Sequence, residues 1–221
     1  MAIYQGDLFG SFKGKLGKVY GRIVHGVNLG AKNPGTKSKS WKPTSSQADN
    51  MERFKTLAQL ASAFRRSSNI GLKAYARQLG PLVSPFDAFI VLNQGAVSVM
   101  GGEAEVDHGS VKLSKENGLP AVGFGNANFT SAGVVKATWT PNADVEPADG
   151  QDKVALAVYQ PDSNQCVLST EALRTDAAAE VPVPSTWTGM TVHVYGFCIG
   201  NGRDTKGMLS ESYYLGTGSI S

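Results

Sequence analysis

Residues 153–170 read KVALAVYQPDSNQCVLST. Two short apolar, β-branched and aromatic runs flank Pro161-Asp162, a pair that starts turns, so the stretch predicts a β-hairpin. The same texture extends to both sides. NANFTSAGVVKATWT (126–140) precedes it, and EVPVP (180–184), MTVHVYGFCIG (190–200) and SESYYLG (210–216) follow. Turn chemistry at Pro141-Asn142, Asp149-Gly150 and Gly200-Asn201-Gly202 separates these runs. With a weaker strand or two in 103–113, the total is about seven strands. Regular spacing without intervening helices predicts an immunoglobulin-like antiparallel β-sandwich over 101–221. The likeness is one of architecture only. Strand 126–140 has no cysteine for the bridge of that fold, and Tyr195, as a tyrosine corner, lies three residues before Cys198 rather than two.

Upstream, over 43–100, the periodicity changes from two to about three and a half. Thr44-Ser45-Ser46-Gln47 fits a capping box, in which a hydroxyl caps the third amide and the Gln side chain reaches back. Met51, Phe54, Leu57, Ala58, Ala61 and Phe64 follow at helical spacing, which predicts an amphipathic helix to about Arg66. A second helical piece is expected from about Ile70 to Leu79. A third begins at Ser84-Pro85, with proline at the first helical position.

The first 42 residues are Gly- and Lys-rich. Glycine punctuates short apolar clusters, and Lys18–Leu29 alternates well enough to predict a hairpin turning near His25-Gly26. A polar linker, NPGTKSKSWKP (33–43), leads to the first helix. Charge is divided unevenly. Residues 1–77 carry 14 Lys and Arg against 3 Asp and Glu, a net of +11, whereas 78–221 carry 7 against 15, a net of −8. Such asymmetry suits a basic arm that docks on an acidic surface, or a solvated basic face.

GSFKGKLG (10–17) resembles a phosphate cradle, but its spacing excludes one. Only three residues separate Gly10 from Gly14, and Leu16 stands where a magnesium-binding hydroxyl belongs. No G-x-S-x-G elbow occurs. His25, His108 and His193 are far apart in sequence without metal-ligand spacing, and His193 alternates with Thr191 and Tyr195 as a surface or interface residue would. Cys198, between Phe197 and Ile199, reads as a small buried hydrophobe. The acidic stretch NADVEPAD (142–149) lacks the glycine and the distal Glu of a calcium loop and reads as a solvated turn. Neither cofactor nor metal is expected, and no enzyme.

Two cysteines in 221 residues are too few for a disulfide framework. The longest apolar run, Ala88 to Leu92, is far short of the roughly 18 residues that span a bilayer. No signal peptide is visible. Synthesis in the bacterial cytoplasm and no membrane partner are the expectations.

Three segments together resemble a family of domains of unknown function found in Bacteroidetes and their phages. They are GDLFGSFKGKLGKVYG (6–21), KPTSSQADNMERFKTLAQLASAF (42–64), and the sandwich runs VVKATWTPNAD, KVALAVY, WTGMTVHVYGF and SESYYLG. The resemblance implies an Ig-like C-terminal domain and a structural role in phage particles. It supplies no catalytic residues. The expected protein is therefore mainly β with an N-terminal α segment: a hairpin arm (1–42), helices (43–100) and the sandwich (101–221). Its expected role is that of an auxiliary or decoration subunit of a phage head, or a tail or connector component, located in the virion. Expected partners are capsid, portal or tail proteins and further copies of itself. Leu8, Phe9, Phe12, Leu16, Val19, Tyr20 and Trp41 are the expected anchors. Lys13, Lys15, Lys18, Arg22, Lys32, Lys37, Lys39 and Lys42 form the expected basic rim. The same cations, with Phe12, Tyr20 and Trp41 stacking on bases, would also suit nucleic acid. A carbohydrate- or cell-surface-binding module is a further alternative.

Overall fold

The computed structural model describes residues 2–3, 14–16, 19–24, 27–32, 42–131 and 133–221. The expected hairpin is present at the N-terminus, as part of a four-stranded sheet. Strands β1 (Ala2–Ile3), β2 (Gly14–Leu16), β3 (Val19–Val24) and β4 (Val27–Lys32) are ordered β1-β4-β3-β2, all antiparallel.

Four helices follow: α1 (Ser45–Ala63), α2 (Arg65–Gly71), α3 (Lys73–Leu79) and α4 (Pro85–Leu92). Both predicted starts are built as the residues require. Thr44 Oγ1 accepts from the Gln47 amide at 3.3 Å while Gln47 Oε1 accepts from the Thr44 amide at 3.1 Å. Ser84 and Asp87 repeat the box ahead of α4, with Pro85 opening the helix. Only the second half of the predicted apolar stripe of α1 is buried. Leu57, Leu60, Ala61 and Phe64 enter the core, whereas Met51 and Phe54 are 56% and 57% exposed. The first turns of α1 still touch their neighbours, since Arg53 donates to the Val97 carbonyl at 3.2 Å and Asn50 and Phe54 line an open cavity with Ile90 and Gln94.

Strands β5 (Val97–Met100) and β6 (Glu103–Val106) form a hairpin against α1. Its two-residue turn, Gly101-Gly102, has φ of +61° and +84°, the conformation that favours glycine at both positions. Residues 103–106 therefore pair with β5 beside the helix.

Seven later strands make the sandwich: β8 (Asn128–Ser131), β9 (Val134–Thr140), β10 (Lys153–Gln160), β11 (Gln165–Leu173), β12 (Ala178–Pro182), β13 (Thr191–Ile199) and β14 (Tyr213–Ser219). One sheet is ordered β11-β10-β13-β14; in the other β9 lies between β12 and β8. A short strand, β7 (Gly123–Phe124), extends pairing along the β8 edge of β9. This three-plus-four division with its crossings is that of an immunoglobulin-like sandwich. Tyr195 is no tyrosine corner: its hydroxyl donates 3.1 Å to the carbonyl of His108, 87 residues upstream.

The helices make the assembly three-layered. On β10, Val154, Leu156 and Val158 face the second sheet, while Ala155, Ala157 and Tyr159 face the helices. On β13, Val192, Val194 and Cys198 take the first side, and Tyr195 and Phe197 the second. Successive strand residues point to opposite faces, so a strand covered on both sides must be apolar throughout. This is the physical reason for the unbroken run KVALAVYQ. Strand β9, covered on one side, alternates. Phe64, at the break between α1 and α2, joins the layers, with ring centroids 4.8 Å from Tyr159 and 5.4 Å, edge-on, from Tyr195.

Candidate functional site

The expected docking surface falls on the N-terminal sheet. Leu8, Phe9, Phe12, Lys13, Lys18, Lys37, Lys39 and Trp41 lie outside the described residues, as does His25. Lys42 is exposed just ahead of α1. Lys15, Leu16, Val19, Tyr20, Arg22 and Lys32 lie on paired strands. The register sets Lys15 opposite Tyr20, Val19 opposite Lys32 and Arg22 opposite Leu29. Directly opposed positions are nearest neighbours across an antiparallel pair, so three cations each have an apolar or aromatic residue as cross-strand partner.

A second constellation is one that sequence reasoning missed. His108 and His193, 85 positions apart and read as unconnected, are stacked with ring centroids 3.7 Å apart and planes 20° from parallel. Two elements bring them together. His193 stands on β13 on the helix-facing side, along with Tyr195 and Phe197. His108 is on the short 3-10 turn 108–110 after β6, in a segment held from both sides. Asn93 accepts from the Lys112 amide at 2.6 Å and donates to the Lys112 carbonyl at 2.9 Å. The Ser212 hydroxyl accepts from the Leu113 amide at 2.8 Å.

Three tyrosines surround the pair. Nδ1 of His193 lies 2.9 Å from the Tyr214 hydroxyl, and Nδ1 of His108 lies 3.3 Å from that of Tyr195. The Tyr159 ring is 5.8 Å from that of His108 and helps line a cleft of about 310 Å³ against Thr56, Gln59 and Leu60 of α1. Burial, and after it the adjoining His108 ring, lowers the His193 imidazole to about 4. Burial also lowers His108, against an opposing pull from Asp107. Tyr159 is raised to about 12 and Tyr195 rises above the ordinary phenol range, both mainly by burial. Burial likewise raises Cys166 to about 12, leaving a poor nucleophile. At neutral pH the cluster is uncharged, with two imidazoles hydrogen-bonded to phenols. Among the described residues, no group of three or more His, Cys, Asp and Glu is placed to hold a metal. This chemistry suits a packed, pH-sensitive joint between layers.

A third cluster lies at one end of the sandwich. Asp152 and Arg174 are wholly buried, with Oδ2 3.6 Å from Nε. Burial works to raise the Asp152 carboxyl, but hydrogen bonds from Thr205 and from the amides of Asp149, Asn201 and Gly202 outweigh it and hold it low. Arg174 donates to Asn142 Oδ1 at 2.6 Å and to the Pro120 carbonyl at 2.8 Å. Cys198 is buried in the sandwich core, as its neighbours predict.

The model of DUF6266, a family of unknown function, matches residues 11–216, and the chain belongs to that family. No curated protein matches the chain. Among the described residues, no helix is long and apolar enough to cross a membrane.

Proposed function

We propose that the chain is a non-enzymatic structural protein of a phage particle, an auxiliary or decoration subunit of the head or a component of the tail or connector. It docks through its basic N-terminal sheet on acidic surfaces of neighbouring virion proteins. The observation carrying this reading is the register of that sheet, which on one face sets Lys15 opposite Tyr20 with Arg22 two positions along β3, and on the other sets Lys32 opposite Val19. Aromatic and apolar anchors beside cations are the composition of a docking patch, and the net of +11 over 1–77 gives it long-range attraction. The particle itself enters through the resemblance of the three sequence segments to proteins of Bacteroidetes and their phages.

The test is particle composition after the triple change Lys15→Glu, Arg22→Glu, Lys32→Glu in the full chain. The wild-type chain is expected in stoichiometric copies in purified particles, and the variant is expected to be lost from them while remaining folded. A variant that is still incorporated overturns the role of the sheet. Binding of the free protein to DNA or RNA at low salt, falling steeply as salt rises, would instead assign these cations to phosphates.

A further inference from the structure

The acidic stretch 142–149 is no loose turn. Its first residue, Asn142, receives the Arg174 guanidinium at 2.6 Å and donates to the Ala121 carbonyl at 2.7 Å. At its far end the Asp149 amide donates to Asp152 Oδ2 at 2.9 Å. Both tethers lead to one buried ion pair, so the two ends of the loop are clamped to the same platform. Within the loop, the Val145 amide donates to the Asn142 carbonyl and the Ala148 amide to that of Val145. The clamp presents Asp144, Val145, Glu146 and Pro147 to solvent, with Val145 47% exposed. An apolar tip between two carboxylates, ordered in advance, loses little freedom on binding.

A matching surface lies on the same chain. A groove of about 400 Å³ runs between α3 and the segment 199–209. Ile70, Ala74, Met208 and Leu209 give it apolar walls, and Lys73 and Arg77, one helical turn apart and both exposed, provide its charge. Among the described residues, neither these cations nor Asp144 and Glu146 form an ion pair or side-chain hydrogen bond within the chain. We infer that the 142–149 loop of one copy seats in this groove of a second copy, with Val145 on the apolar walls and Asp144 and Glu146 against Lys73 and Arg77. Segment 199–209 connects donor and acceptor: Gly202 packs on Asp149, and Gly207–Leu209 line the groove. With loop and groove side by side, a two-fold pair makes the contact twice. The inference does not depend on the N-terminal sheet, and it can fail while that reading stands.

Sedimentation velocity on the purified full chain, from micromolar to millimolar concentration and at low and high salt, tests it. The wild-type chain is expected to associate with rising concentration, more weakly at high salt. Asp144→Lys with Glu146→Lys, and separately Lys73→Glu with Arg77→Glu, should each weaken association by about tenfold or more. Mixing the two variants should restore it, because each loop then faces a groove of opposite charge. Near-ultraviolet circular dichroism confirms that each variant is folded. A wild-type chain that stays monomeric throughout, association unchanged by either double substitution, or a mixture that fails to recover would each overturn the pairing.

Discussion

The stacked histidines lead to a quantitative prediction. In the folded chain His193 is lowered from 6.5 to about 4, because burial and the neighbouring imidazole disfavour its charged form. The unfolded chain keeps an ordinary imidazole, so between these values it binds more protons than the folded one. Stability is therefore complete above the unfolded value of 6.5 and is lost as pH falls toward the folded value of about 4. Burial and the neighbouring ring together make acidification from pH 7 to about 4.5 cost about 2 kcal/mol or slightly more. Partial solvent access to the ring reduces this to about 1–2 kcal/mol. The window isolates the histidines, because Asp152, held below 3.8, weakens the fold only at still lower pH. Urea unfolding midpoints at pH 7 and about 4.5 measure the loss, with His193→Gln as the comparison. The variant should be less stable at pH 7, from lost packing against His108, and show a clearly shallower decline with acid. His108, also lowered by burial, adds a smaller share that the variant retains. Equal acid sensitivity in the two proteins would refute the argument that His193 is held neutral.

Other outcomes follow from the packing. Arg174→Met strands a buried carboxylate and should cost about 3–5 kcal/mol in chemical denaturation. Gly71→Ala places a methyl group 2.3 Å from the Leu113 carbonyl oxygen. Because backbone rather than a flexible side chain must move, a loss of about 1–3 kcal/mol or more is expected in the melting temperature series. Phe64→Ala removes the ring shared by three aromatic neighbours and should cost about 3–5 kcal/mol by the same measurement. Cys166, raised to about 12 by burial, should react with a thiol reagent only slowly in the folded chain and readily, together with Cys198, in denaturant.

What the sequence discloses here is local. The capping box at Thr44, the helix start at Ser84-Pro85, the Pro161-Asp162 hairpin and the pairing of β3 with β4 each depend on residues within a few positions of one another. Sheet membership and the third layer depend on contacts across the chain. The unbroken apolar run of β10 beside the alternating run of β9 was the available signal that one sheet is covered twice. A two-layer sandwich, by contrast, gives the helices no surface to cover. The exposure of Met51 and Phe54 could not be read from spacing, since periodicity defines a face of a helix but not how much of that face its neighbours cover. The histidine pair carries still less signal. His193 shares a strand face with Tyr195 and Phe197, but its partner is fixed by where Asn93 and Ser212 hold the segment containing residues 111–113.

The three-layer arrangement also limits where function can reside. Both faces of the central strands β10 and β13 are committed to packing, one against the helices and one against the second sheet. Partners are left with the outer surfaces: the N-terminal sheet, the outward faces of the helices and of the second sheet, and the loops at the ends of the sandwich. The largest investment in buried charge, Asp152 with Arg174, lies at one of those ends and under an exposed loop. Replacing a buried ion pair by well-packed apolar residues is often neutral or stabilising, so stability alone is a weak reason to keep one. Holding Asn142 and Asp149 in fixed positions gives this pair a geometric role. The value of that geometry lies in what the acidic tip between them meets.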